Sequence, residues 1–139
     1  MRVVRGLPPI YEEIALTFPA VKRTRGVVFS WGDILYNPQG VEIPGPLMAH
    51  EEAHGVRQLE MGVVAWWARY LDDREFRKAE EIIGHRAEYL ARIVNAPHRN
   101  ARRWHLKQTA TRLSGTLYSL GMTRDEAARA IKVACGDAA

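Results

Sequence analysis

Apolar residues recur at four-residue steps near the start of the chain, at Ile10, Ile14 and Phe18, between Pro8-Pro9 and Pro19. That spacing predicts a short amphipathic helix opened and closed by prolines. The pattern then changes. In "GVVFSWGDILYNP", β-branched and aromatic residues flank Gly32-Asp33, which predicts a β-hairpin with strands near 26–31 and 34–37. "NPQGVEIPGP" holds three prolines and two glycines and reads as a loop.

Pro46 is placed to open a helix that runs to about Met61, where Gly62 interrupts it. "VVAWWARYL" predicts a second, short helix. Trp66 and Trp67 are adjacent on it, so only one is expected to face the core while the other lines a pocket or snorkels. Asp72 with Glu75 resembles a capping box for a long helix from Asp73 to about Asn95, stopped by Pro97. A further helix is expected from His98 to Leu120 with Gly121 as its C-cap. Thr123 with Glu126 forms a second capping box for a last helix ending at Gly136. The order is helix, hairpin, then helices: an α+β chain, mostly helical, of 139 residues, which is one domain's worth.

Composition narrows the class. The longest apolar run, "MGVVAWWA", is too short to cross a bilayer, and "MRVVRGLPPIYEEI" lacks the apolar core of a signal peptide, so a cytoplasmic protein without membrane contact is expected. The single cysteine, Cys135, excludes an internal disulfide and a multi-cysteine zinc cluster, and reads as a packed helix residue. Charge is uneven: residues 92–139 carry 9 Lys and Arg against 3 Asp and Glu, while residues 1–91 carry 11 against 13. The basic C-terminal third, with "LSGTLYSLGMTRDEAARAIK" reading as helix, turn, helix, keeps a nucleic-acid or acidic partner open. Solvated helix faces account for the same charges, and the acids Asp125 and Glu126 stand early in what would be the recognition helix.

The chemistry lies in "HEEAH". On a helix, His50 and His54 stand one turn apart and can aim two imidazoles at one point, where zinc accepts nitrogen at about 2.0 Å. Glu51 lies on the same side, near enough to serve a metal-bound water as general base without ligating. A catalytic zinc needs a third protein ligand, which must come from outside this face; Glu60, Glu80, Glu81, His85, Glu88, His98 and His105 are the candidates. Glu60 falls six residues after His54, where one metzincin-like subclass places its third ligand, but Arg57 stands where that subclass needs glycine, and Glu60 is set aside. Glu81, His85 and Glu88 share one face of the predicted long helix. Tyr70, Tyr89 and Arg86 are candidates to stabilise an oxyanion.

"HEEAH" followed by "EIIGH" resembles the gluzincin branch of the HExxH zincin metallopeptidases, and the run "VFSWGDILYNP…HEEAHGVRQ…WWARYL…FRKAEEIIGHRAEY" is similar to small metallopeptidase-like proteins of phage and bacterial genomes, over about residues 26–90. The resemblance implies a minimal zincin-like domain, with a hairpin packed on the motif helix and a metal-site core of about 26–95; it implies nothing about the basic helical part of about 97–136, which the residues alone predict. It implies Zn²⁺ held by His50, His54 and Glu81, with Glu51 as base and a peptide or protein as substrate. His85 would take the place of the acid that buttresses a ligand histidine. In that family a strand edge beside the motif helix receives the substrate, a role "VVFSW" or "DILYN" would fill. Peptide deformylases share His-Glu-x-x-His but need a cysteine upstream of it, and none exists here. Besides the enzyme, a nucleic-acid or protein-binding module and an inactive zinc-containing scaffold remain open.

Overall fold

The computed structural model describes residues 1–134. Cys135 and the predicted helix end at Gly136 lie outside the described residues. The chain is α+β and mostly helical: β1 (Arg2–Val4), α1 (Tyr11–Thr17), a 3₁₀ turn (Pro19–Lys22), β2 (Phe29–Trp31), β3 (Ile34–Tyr36), α2 (Gly45–Met61), α3 (Val63–Asp72), α4 (Arg74–Ile93), α5 (Arg99–Leu113) and α6 (Arg124–Ala134). Among the described residues no helix is long and apolar enough to cross a membrane.

The predicted hairpin forms, with Ser30 opposite Leu35 and Trp31 opposite Ile34. Its two-residue turn has Gly32 at φ 63°, the backbone that a first-position glycine supplies in a type II′ turn. The paired part of the first strand begins only at Phe29, because Gly26 adopts φ 80° and the chain is still turning there. The sheet has a third member that the apolar pattern does not announce: β1 pairs parallel to β3, giving the order β1-β3-β2. Three residues are too few to show an alternation, so only the tertiary partner defines that strand.

The hairpin is fastened to α2 by backbone proximity and by one side chain. A Cβ on Gly55 would fall inside the carbonyl oxygen of Gly32, so the helix can approach the turn only with glycine there. One turn on, Gln58 is fully buried and uses both ends of its amide: Oε1 accepts from Gly32 N at 2.7 Å, and Nε2 donates to Ser30 O at 3.2 Å and Ser30 Oγ at 3.1 Å.

Two apolar clusters make up the core. The first gathers Ile14, Phe18, Phe29, Trp66, Trp67 and Tyr70 from α1, the hairpin and α3. The second gathers Tyr89, Leu106, Ala110, Leu113 and Ile131 from the last three helices. Tyr118 touches both.

Three local expectations are corrected. Trp66 and Trp67 are both buried, at 1% and 4% exposure, since α3 is covered from two directions: Trp66 stacks on Tyr70 while Trp67 Nε1 donates to Ser30 O at 3.1 Å. Helix α4 is capped by Asp73, not Asp72; Asp73 Oδ1 accepts from Phe76 N at 3.1 Å. Helix α5 ends at Leu113 rather than Leu120, as Ser114, Gly115 and Thr116 are poor helix formers and the chain folds back through Ser119 and Gly121 at positive φ. The segment read as the first half of a helix-turn-helix is therefore a long connection. The Thr123 cap is present, its Oγ1 accepting from Glu126 N at 3.1 Å.

Candidate metal centre

Helix α2 packs chiefly along α4, and the face between them carries the polar residues that the apolar clusters exclude. From α2 come His50, Glu51 and His54, all buried; from α4 come Glu81, Gly84, His85 and Glu88 at helical spacings of three and four. Six ionisable side chains do not share a dry interface unless their charges and hydrogen bonds are mutually arranged.

Three of them meet at one point. His50 Nε2 and His54 Nε2 are 3.0 Å apart, and the two oxygens of Glu81 lie 3.4 Å from His50 Nε2 and 3.5 Å from His54 Nε2. Four ligands at about 2.0–2.1 Å around a tetrahedral zinc stand about 3.3–3.4 Å from one another. The triangle therefore has the edges that a single ion demands. A small, partly open space of about 30 Å³ is bordered by His50, Glu51, His54 and Glu81, enough for a water or a single ion. The Nδ1 atoms of both histidines are buried without a hydrogen-bond partner, leaving rings whose polar demand is met only on the Nε2 side.

His85 is the fourth group. Its ligand atoms, with those of His50 and Glu81, also fall within 4.8 Å of one another, so these three form a second group able to hold an ion. Its Nδ1 stands 2.9 Å from the Glu81 carbonyl oxygen and 3.4 Å from Glu81 Oε2, so the ring packs against the ligand carboxylate's own turn.

The surroundings tune these groups. Burial works against a charged His50, but Glu81 and Glu88 outweigh it and raise its pKa to about 10. Burial likewise pushes Glu81 up, and His54, His50 and His85 more than reverse it, holding the carboxylate well below its usual range. Glu51 is pushed up, by burial first, against the pull of His50 and His54; a hydrogen bond with Ser30 also favours its charged form. His85 is pushed down by burial and by His50, which favours a neutral ring.

Tyr70 OH donates to Glu81 Oε1 at 2.5 Å, so Tyr70 holds the Glu81 carboxylate. Glu88 Oε2 faces His50 Nδ1 at 3.7 Å, a charge contact too long for a hydrogen bond, and its Oε1 accepts from Arg92 and Arg112. Glu88 is thus the acid of α4 that stands nearest the Nδ1 side of His50, while His85 lies against Glu81. Gly84 supplies room: a Cβ there would come within 2.8 Å of His50 Nε2.

Among the other sequence candidates, Glu80 is tied bidentate to Arg57 Nε at 2.6 and 2.9 Å, and Glu60 is exposed at the end of α2. His98 is an N-cap accepting from Ala101 N, and His105 packs against Trp104. Tyr89 belongs to the helical cluster.

Sequence reasoning missed Ser30, Gln58, Gly84 and Tyr118. Tyr118 borders both the small space and a neighbouring cavity of about 440 Å³ that opens beside His50 and Glu51. Burial, Glu81 and Glu51 keep its phenol protonated. A glycine one turn before a glutamate on a ligand-bearing helix face is the only one of these with a readable pattern. Comparison with protein-family models, with curated proteins and with solved structures finds no match to this chain.

Proposed function

We propose that this protein is a zinc-dependent metallopeptidase of the HExxH, gluzincin-like type, acting on a peptide or protein substrate. The observation that carries the reading is the triangle of His50 Nε2, His54 Nε2 and the Glu81 carboxylate, with edges of 3.0 to 3.5 Å, beside a buried Glu51. Two neutral nitrogens and one carboxylate form a donor set that suits zinc and leaves a position open for catalysis.

A zinc ion held there supplies Lewis acidity to the scissile carbonyl and lowers the pKa of water. The chain's own groups do the rest. Glu51, with its pKa raised by burial, takes a proton from the attacking water and delivers it to the leaving amine. Tyr118, protonated and bordering the cavity, is the donor for the developing oxyanion. Tyr70 holds the Glu81 carboxylate through a hydrogen bond, and Glu88 places a negative charge beside the His50 ring.

The test is a pair of variants. Glu81→Ala should lose stoichiometric zinc, whereas Glu51→Gln should keep the metal and the fold but lose turnover of a peptide library. Glu51→Gln protein that still cleaves at the wild-type rate would end this reading; zinc in both variants would displace Glu81 from the donor set.

A further inference from the structure

The cavity next to the triangle changes character along its length. His50, Glu51, Glu81 and Glu88 border its inner side, Val28, Leu47, Leu113 and Leu117 give it apolar walls, and Arg25, Arg92 and Arg112 add cationic groups. At about 440 Å³ it has room for one or two amino-acid residues rather than a long chain.

The arginines are unevenly matched. Arg92 Nη2 and Arg112 Nη2 both donate to the same atom, Glu88 Oε1, at 3.0 and 2.5 Å. Two guanidiniums thus share one carboxylate whose other oxygen already faces His50. One positive charge is left over, and each guanidinium has five N–H donors in a fork that suits a carboxylate. Their side chains are 28% and 42% exposed, so part of each fork is open to a ligand. Arg25 is exposed and borders the same cavity. Apolar walls beside these cations thin the surrounding water and strengthen any charge contact made there.

Resting on the peptidase reading, we propose that this cavity selects peptides that present an apolar side chain to Leu113 and Leu117 and a carboxylate to Arg92 and Arg112. Only the Glu88 side chain separates the Arg112 guanidinium from the His50 ring, a distance that two or three extended residues span at roughly 3.3–3.6 Å each. The carboxylate therefore lies close to the scissile bond on the substrate. Either a free C-terminus or an acidic side chain can provide it. A cationic side chain at that position meets an unmatched positive charge.

Three N-acetylated probes separate these sources: alanyl-alanyl-leucine as the free acid, its C-terminal amide, and the amide of alanyl-leucyl-aspartate. Binding to metal-free wild-type protein is measured by calorimetry, so that direct ligation of the ion by the carboxylate does not intervene. The free acid, the aspartyl amide, or both should bind at least about tenfold more tightly than the leucyl amide, the loss expected for a charge-assisted hydrogen bond. An Arg92→Gln/Arg112→Gln variant, shown by circular dichroism to be folded, should lose that preference. A free-acid advantage alone assigns the C-terminus; an advantage shared by the aspartyl amide assigns the carboxylate in general. Equal affinity for all three, or no binding up to millimolar peptide, overturns the proposal on wild-type protein alone. Zinc-loaded wild-type that binds with this preference yet cleaves none of the three counts against the peptidase reading and leaves the carboxylate site standing.

Discussion

Gly84 of α4 lies directly against the imidazole of His50, and a Cβ on it would stand 2.8 Å from Nε2 and 3.0 Å from Cδ2 and Cε1. The glycine looks costly in the middle of a helix, where alanine would be favoured by about 0.8–1.0 kcal/mol. Its position makes sense only if the ring must occupy that space. Gly84→Ala is therefore expected to weaken zinc binding by roughly 10–100-fold, the range for loss of support to a ligand, as read by chelator competition. Unchanged affinity with a raised melting temperature would show that propensity alone is at stake there.

Zinc binding should be steeply dependent on pH. Without metal, His50 holds its proton up to about pH 10, whereas a ligating imidazole must be neutral. Each unit of pH below that value then costs about tenfold in affinity, and binding at pH 7 releases about one proton from this residue. Calorimetry in buffers of different ionisation enthalpy counts that proton. The same shift has the opposite sign for the metal-free fold. A histidine pKa raised from 6.5 to about 10 adds stability that is fully present below pH 6.5 and is lost as pH rises through 10. Melting temperatures of the metal-free and zinc-loaded forms should accordingly diverge between pH 7 and 10.

Tyr118→Phe removes a hydroxyl but keeps the ring packed on Phe18 and Tyr70 at 5.2 and 5.7 Å. The expected result is a loss of about 100–1000-fold in kcat, the range for one oxyanion donor, with little change in KM or zinc content. An equal rise in KM would instead place Tyr118 in substrate binding.

Gln58→Ala would leave Gly32 N without its acceptor and open a buried hole beside Ser30, whose carbonyl keeps the bond from Trp67 Nε1. Three hydrogen bonds between hairpin and helix go with it. A destabilisation of about 2–4 kcal/mol is expected by denaturant titration, because buried groups left unpaired carry their full desolvation cost. Turnover at temperatures where the variant is folded should fall too, since Ser30 also bonds Glu51.

Much of this molecule was legible from local rules. The periods of apolar residues, Pro46, Gly62 and the Thr123 cap placed α1, the hairpin, α2, α3 and α6 close to where they lie. His50, Glu51 and His54 were readable because one helical turn alone sets their spacing. Spacing alone did not choose among seven candidates for a third group, although the resemblance pointed to Glu81: Glu80 and Glu81 are neighbours in sequence, yet one meets Arg57 and the other the two histidines. That difference is the rotation of α4 against α2, a long-range packing outcome with no periodic signature. For the same reason β1, the burial of both tryptophans, the cradle at Gly84 and the approach of Tyr118 from beyond α5 were invisible in the string. The sequence by itself determined which segments are helices and which residue types can hold an ion; only the tertiary structure decided which of them share a point in space, because contacts between distant elements depend on packing that no local pattern encodes.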